Sequence, residues 1–247
     1  LTHLPSVNPK HRIQKKPYTL LHMEESGCSR EEVLSLLAGH RARDVPHNHI
    51  FSSMCTVPHD LAVAAHELFV STNLGDPGLY PGTADIERKL IASLGDLLQG
   101  KNIGGYATSG GTESNLQAIR IAKKLHPSAK PNIVVPASAH FSFDKTSDIL
   151  GLEMRLAPYK EGGYTVDTDA MAELIDENTV AVAAVAGTTE YGVIDDVVNV
   201  AALAREHDIW CHVVKKNMKI FYGLFDRMID RSCTKKIQIN AKGITAI

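Results

Sequence analysis

Three stretches of this 247-residue chain carry side chains suited to chemistry rather than to packing. The first is Ala107-Thr108-Ser109-Gly110-Gly111-Thr112-Glu113-Ser114-Asn115, which joins a strand-like segment to a helix-forming one. Gly110 and Gly111 allow close backbone approach, Ser109 and Thr112 add hydroxyl donors, and the free amides of a helix start favour an anion. A phosphate group is the natural guest, and a plain tight turn is the competing reading. The loop matches neither GxxxxGK[ST] nor GxGxxG, so the common nucleotide motifs do not apply. The second stretch, Ser138-Ala139-His140-Phe141-Ser142, follows an apolar run ending at Val135. His140 there either caps a helix or fills a gap, or its ring stacks on a planar ligand and its nitrogen acts as an acid. The third, Gly187-Thr188-Thr189-Glu190-Tyr191-Gly192, follows the strongest β-prone run. Its hydroxyls can bond a ligand's polar edge or merely the local backbone. His47-Asn48-His49 looks metal-like, but no cysteine or carboxylate stands at a supporting spacing.

The elements that must position these loops alternate. Ser29-Arg30-Glu31-Glu32 is a capping box that starts a short amphipathic helix through Val33, Leu34, Leu36 and Leu37, ended near Gly39. A helix is expected around Leu61–Phe69. Thr83 is expected to cap the next, whose face carries Ile86, Leu90, Ile91, Leu94, Leu97 and Leu98. Then come strand Asn102–Ala107, helix Thr112–Leu125 (Leu116, Ile119 and Ala122 on one face), strand Asn132–Val135, helix Phe141–Leu150 and strand Glu153–Ala157. Helix Asp167–Ile175, strand Thr179–Ala186, helix Val197–His207 and strand Ile209–Val213 follow. Asp195-Asp196 is expected to cap the last helix. Strands apolar on both faces, alternating with helices, indicate an α/β fold with a mostly parallel sheet covered on each side. In such sheets ligands gather at the carboxyl ends of the strands, where all three loops would lie.

Composition narrows the function classes. A formal charge of −2 gives no reason to expect a nucleic-acid partner. The longest uncharged apolar run, Val180 to Gly187, is too short to span a bilayer, so no membrane partner is expected. Cysteines 28, 55, 211 and 233 form no CxxC pair; with no secretory signal evident, reduced thiols in the cytoplasm are the expectation. The totals hide a break at Val214. Residues 214–247 hold six Lys and two Arg against two Asp, a net +6, which leaves residues 1–213 at −8.

Taken together, the loops resemble the group II pyridoxal-phosphate-dependent amino-acid decarboxylases, and most of all their archaeal L-tyrosine/L-aspartate branch. Thr72-Asn73-Leu74-Gly75-Asp76-Pro77-Gly78-Leu79 with Pro81-Gly82-Thr83 is similar to that branch's substrate-side segment. Ser109–Asn115 resembles the phosphate loop, and Ala139-His140-Phe141-Ser142-Phe143-Asp144-Lys145 the stretch whose His lies over the pyridine ring. Gly187-Thr188-Thr189-Glu190 and Gly192-x-Ile194-Asp195 complete a series that runs from about Met23 to Val213. The resemblance implies the large-domain fold of fold-type-I pyridoxal-phosphate transferases, here incomplete and without the small domain. It implies pyridoxal 5'-phosphate as cofactor, held by Ser109, Gly110, Gly111 and Thr112, with Thr188 at its phenolic oxygen. His140 stacks on the ring and serves catalysis, and Asn73, Pro77 and Leu79 face the substrate. It also implies an amino-acid substrate and a homodimer.

The implied organisation is an irregular extension over 1–22, a helical and loop segment over 23–82, a partial cofactor-binding domain over 83–213 and a basic tail over 214–247. At Val214 the pattern departs. The family continues His-Val-Asp-Ala-Ala, its Asp pairing with the pyridine nitrogen, whereas Cys211-His212-Val213 is followed here by Val214-Lys215-Lys216. None of the tail's lysines follows the Asp-Pro-His sequence of the family's Schiff-base lysine. A decarboxylase by descent, inactive as this chain and with an unpaired sheet edge, is the first expectation. A non-catalytic remnant that binds phosphate or an intact homologue is the second, and another enzyme of the same fold, such as a cysteine desulfurase or a sphingosine-phosphate lyase-like protein, the third.

Overall fold

The computed structural model describes residues 27–50, 57–97, 100, 103–215 and 237–241. The expected extension over 1–22 and most of the basic tail lie outside the described residues. The chain divides into two compact units, 1–58 and 59–247. In the first, helix α1 (Arg30–Arg41) opens on the anticipated capping box. Ser29 Oγ accepts from the Glu32 amide at 3.2 Å while Glu32 accepts from the Ser29 amide at 2.7 Å. His47–His49 forms a single 3₁₀ turn.

The second unit begins with α2 (Asp60–Phe69) and α3 (Pro81–Leu97). Thr83 is not the cap of α3: the helix starts at Pro81, whose fixed φ and missing amide suit a first helical turn. The strand anticipated over residues 102–107 is absent among the described residues, which run without regular structure from 103 to 108. Gly104 and Gly105 weaken strand formation, and the Ala107 amide donates to Glu87 Oε1 at 2.7 Å rather than to a neighbouring strand.

From α4 through β4 the alternation is as expected: α4 (Gly111–Leu125), β1 (Asn132–Pro136), α5 (Ser142–Leu150), β2 (Glu153–Ala157), α6 (Thr168–Glu173), β3 (Thr179–Ala186), α7 (Val197–Glu206) and β4 (Trp210–Lys215); β5 (Ile237–Ala241), inside the segment read only as a basic tail, was not expected. The sheet is fully parallel in the order β2-β1-β3-β4-β5. β4 is not the last strand of the sheet: Cys211–Lys215 run beside Ile237–Ala241, and β5 forms the edge. The period of two along β3 divides the core between the faces. Val182 and Ala184, with Val134 and Val213, pack under α6 and α7 against Met171, Val197, Val200 and Ala204. Ala181, Ala183 and Val185, with Ile133, Val135 and Val214, pack under α4 and α5 against Ile119, Ala122 and Phe143. Cutting back a side chain such as Ile133 to alanine removes about 2–5 kcal/mol. No helix among the described residues is long and apolar enough to cross a membrane.

Candidate functional site

Parallel strands share one carboxyl edge, and that edge gathers two of the sequence-predicted loops. The turn bearing His140 leaves the end of β1, and the loop bearing Thr188 leaves the end of neighbouring β3. Gly187 holds φ 103°, a left-handed conformation that turns the chain abruptly off β3. Thr188 is buried directly after it, and its Oγ1 has no hydrogen-bond partner among the described residues. Asp195, thought to share the capping of α7, instead lies buried with its carboxylate accepting the Val166 amide at 2.9 Å and the Val185 amide at 2.8 Å. Asp196 alone makes the cap, accepting from the Asn199 amide. Burial pushes the Asp195 carboxyl up, opposed by those two bonds. This carboxylate fixes the far end of the Thr188 loop.

The third loop starts α4. Gly110 is its N-cap in extended backbone, φ 165° and ψ 174°, with no side-chain cap bond. Neither backbone strain nor crowding calls for glycine there, since an added Cβ would meet nothing within 4 Å. The space beside this backbone is open. The loop already holds one oxyanion of its own. Glu113 accepts from the Ser109 amide at 2.8 Å and from the Ser109 hydroxyl at 2.6 Å, bonds that pull its carboxyl below the usual range. The Ser109 amide and hydroxyl, which hold a carboxylate just ahead of a helix start, are donors of the kind a phosphate needs. Thr112 is exposed on the first turn, and the Thr108 and Ser114 hydroxyls pair at 2.6 Å behind it.

A buried string of polar groups ties the cradle to the imidazole. Asn115, one turn into α4, donates from Nδ2 to Ser142 Oγ at 2.8 Å. Ser142 opens α5, and its amide donates to His140 Nδ1 at 3.1 Å. On the other side of Asn115, Oδ1 lies 3.0 Å from Nε2 of His212 in β4. Burial pushes the His212 ring down to about 4, so it stays neutral and Nε2–H is the donor. Sequence reasoning missed this string. Asn115 stands four and seven residues before Ile119 and Ala122, on the helix's apolar stripe, and a lone amide on such a stripe was the available signal. Among the described residues no cluster of three metal-ligating side chains forms, around His47–His49 or elsewhere. Asn73, Pro77 and Leu79 occupy the exposed α2–α3 loop, where Asn73 Oδ1 accepts from the Gly75 amide. Their recorded bonds stay within that loop.

The model of the pyridoxal-dependent decarboxylase conserved domain matches residues 43–214. The chain belongs to that family. The cofactor of the family is pyridoxal 5'-phosphate, and the donor set at Ser109–Thr112 with the orphaned Thr188 hydroxyl fits such a group. The chain is 66% identical over 192 residues to a probable L-tyrosine/L-aspartate decarboxylase of Methanocorpusculum labreanum, covering 77% of this chain and 52% of that one. It is 47% identical over 182 residues to a probable L-aspartate decarboxylase of Archaeoglobus fulgidus, covering 74% and 49%. It thus spans about half the length of the curated relatives it matches. Among solved structures, a sphingosine-1-phosphate lyase of Burkholderia pseudomallei superposes with a TM-score of 0.69 at 28% identity, over 79% of this chain and 49% of that one. Mouse CSAD superposes with a TM-score of 0.75 at 21% identity, over 89% and 51%, a likeness of fold.

Proposed function

We propose that this chain carries the cofactor-holding part of an amino-acid decarboxylase acting on L-tyrosine, L-aspartate or both. The observation that supports it best is the Asn115–Ser142 bond, which joins the start of α4 to the turn bearing His140 on the edge that also carries Thr188. In this reading the phosphate is held by the Ser109 hydroxyl, the Gly110 and Gly111 amides and Thr112, with Glu113 yielding the Ser109 donors. Thr188 Oγ1, buried without a partner among the described residues, would donate to the phenolic oxygen. The His140 ring would stack on the cofactor; with Nδ1 accepting from the Ser142 amide, its proton sits on Nε2. When bound, pyridoxal phosphate supplies the electron sink that carboxylate loss requires. The chain's own contribution is to orient substrate and to keep water from the reacting carbon. Asn73, Pro77 and Leu79 form the substrate side.

Val214 carries the second half of the proposal. It is buried among Val135, Phe143 and Val185 and has no charge to offer a pyridine nitrogen. This chain therefore binds the cofactor and turns over little or no substrate, the behaviour of a remnant that also associates with an intact homologue. Exposed Val33, Leu34, Leu36 and Leu37 on α1, and Leu61 and Leu68 on α2, support association with a second chain. Its place is the cytoplasm, where the thiols of Cys28 and Cys211 stay reduced. Calorimetric titration of the purified chain with pyridoxal phosphate, beside assays for tyramine and β-alanine, tests both halves. Saturable binding without product is expected. No binding refutes the site, and product at a relative's rate refutes the assignment of inactivity.

A further inference from the structure

Asn115, Ser142 and His212 are each 0% exposed, and together they form a polar string beside the apolar side chains packed between α4, α5 and the sheet. Burying an amide on the apolar stripe of α4 is unfavourable unless every group finds a partner. Here the directions agree along the string, while His212 Nδ1 has no partner among the described residues. His212 donates from Nε2 to Asn115 Oδ1, Asn115 donates from Nδ2 to Ser142 Oγ, and the Ser142 amide donates to His140 Nδ1. The elements so joined are β4, α4 and α5: α4 begins at the phosphate cradle and α5 at the imidazole turn. An apolar residue at 115 would remove the hydrogen bond that joins the two helix starts. Displacements of about 1 Å at a reacting centre change rates by about a hundredfold.

We infer that Asn115 is a positioning residue: through its bond to Ser142 it holds the His140 imidazole, as the Nε2–H tautomer, in register with the Ser109–Thr112 cradle. This rests on the proposed cofactor site, and the test separates the two. Nitrogen-15 NMR of the histidine rings is recorded in the full chain without ligand, for the wild type, Asn115→Ala and Ser142→Ala. Exposed His207 serves as internal reference and circular dichroism as the check of fold. The wild type is expected to give the separate ring-nitrogen signals of a fixed Nε2–H tautomer at His140. Both variants are expected to give exchange-averaged signals there with unchanged circular dichroism. Calorimetry should then find pyridoxal phosphate binding weakened by about tenfold, the loss of one hydrogen bond, with inorganic phosphate binding unchanged. Should Asn115→Ala fail to fold, Ser142→Ala decides, because it keeps the α5 backbone and removes only the hydroxyl. A fixed tautomer and an unchanged ratio of the two affinities in a folded variant overturn the inference. Failure of the wild type to bind pyridoxal phosphate overturns the cofactor site instead, and the tautomer still judges Asn115.

Discussion

Replacing Gly110 by alanine separates ligand binding from folding. The backbone there is extended, so alanine adopts it without left-handed strain, and its Cβ meets no atom within 4 Å. Two opposed effects on stability remain. Alanine has less chain entropy to lose, which favours the fold by about 0.4–1 kcal/mol. As the N-cap of α4 it is poorer than glycine by a similar amount, up to about 1 kcal/mol. The two nearly cancel, and the thermal midpoint should move by less than about 2–4 °C. Binding responds differently, because a methyl group at this point stands where phosphate oxygens must reach the amides. Loss of one charge-assisted hydrogen bond, about 1.5–3 kcal/mol, weakens pyridoxal phosphate binding roughly 10- to 150-fold. Differential scanning fluorimetry and calorimetric titration of Gly110→Ala beside the wild type read both quantities. An unchanged affinity, or a fold destabilised by several kcal/mol, refutes the argument that this glycine serves a ligand.

Thr188→Val removes a buried hydroxyl that has no partner among the described residues, so chemical denaturation should find stability unchanged or raised by about 1 kcal/mol, while pyridoxal phosphate affinity falls about tenfold. At the opposite edge of the sheet, burial raises the Asp176 carboxyl, but bonds from Asn132, Arg155 and the Asn178 amide outweigh it and hold it at about 2. A depressed carboxyl stabilises above its unfolded value of 3.8 and loses that contribution as pH falls toward 2. With the side chain a third exposed, the contribution is about 1 kcal/mol. Urea midpoints at pH 5 and pH 2.5 should drop further for the wild type than for Asp176→Asn. His212, held neutral by burial, takes its proton in the unfolded chain near 6.5 and in the fold only near 4. Stability is complete above pH 6.5 and falls as pH drops from 6.5 to 4, by about 2–3 kcal/mol. Urea unfolding at pH 7 and pH 4.5 should register this, and His212→Phe should flatten the dependence.

The sequence by itself determined the α/β alternation and the capped start of α1, because periodicity and local capping are written in neighbouring residues. The extents of β2 and β3 were legible for the same reason: β-branched and small apolar runs bounded by turn residues have little alternative. The three candidate loops also stood out, since glycine and hydroxyl residues at the end of an apolar run are out of place in a core. Tertiary structure decided what depends on partners distant along the chain. Whether residues 103–107 pair as a strand turned on an amide taken by Glu87, and the β4 edge was covered by residues 237–241, which no local pattern announced. The role of Asn115 needed Ser142, 27 residues away, and His212, 97 residues away, brought together by the parallel sheet. Hydrogen bonds across such separations exist only once the core has closed, and for that reason a linear reading sees a single amide where the fold has a string.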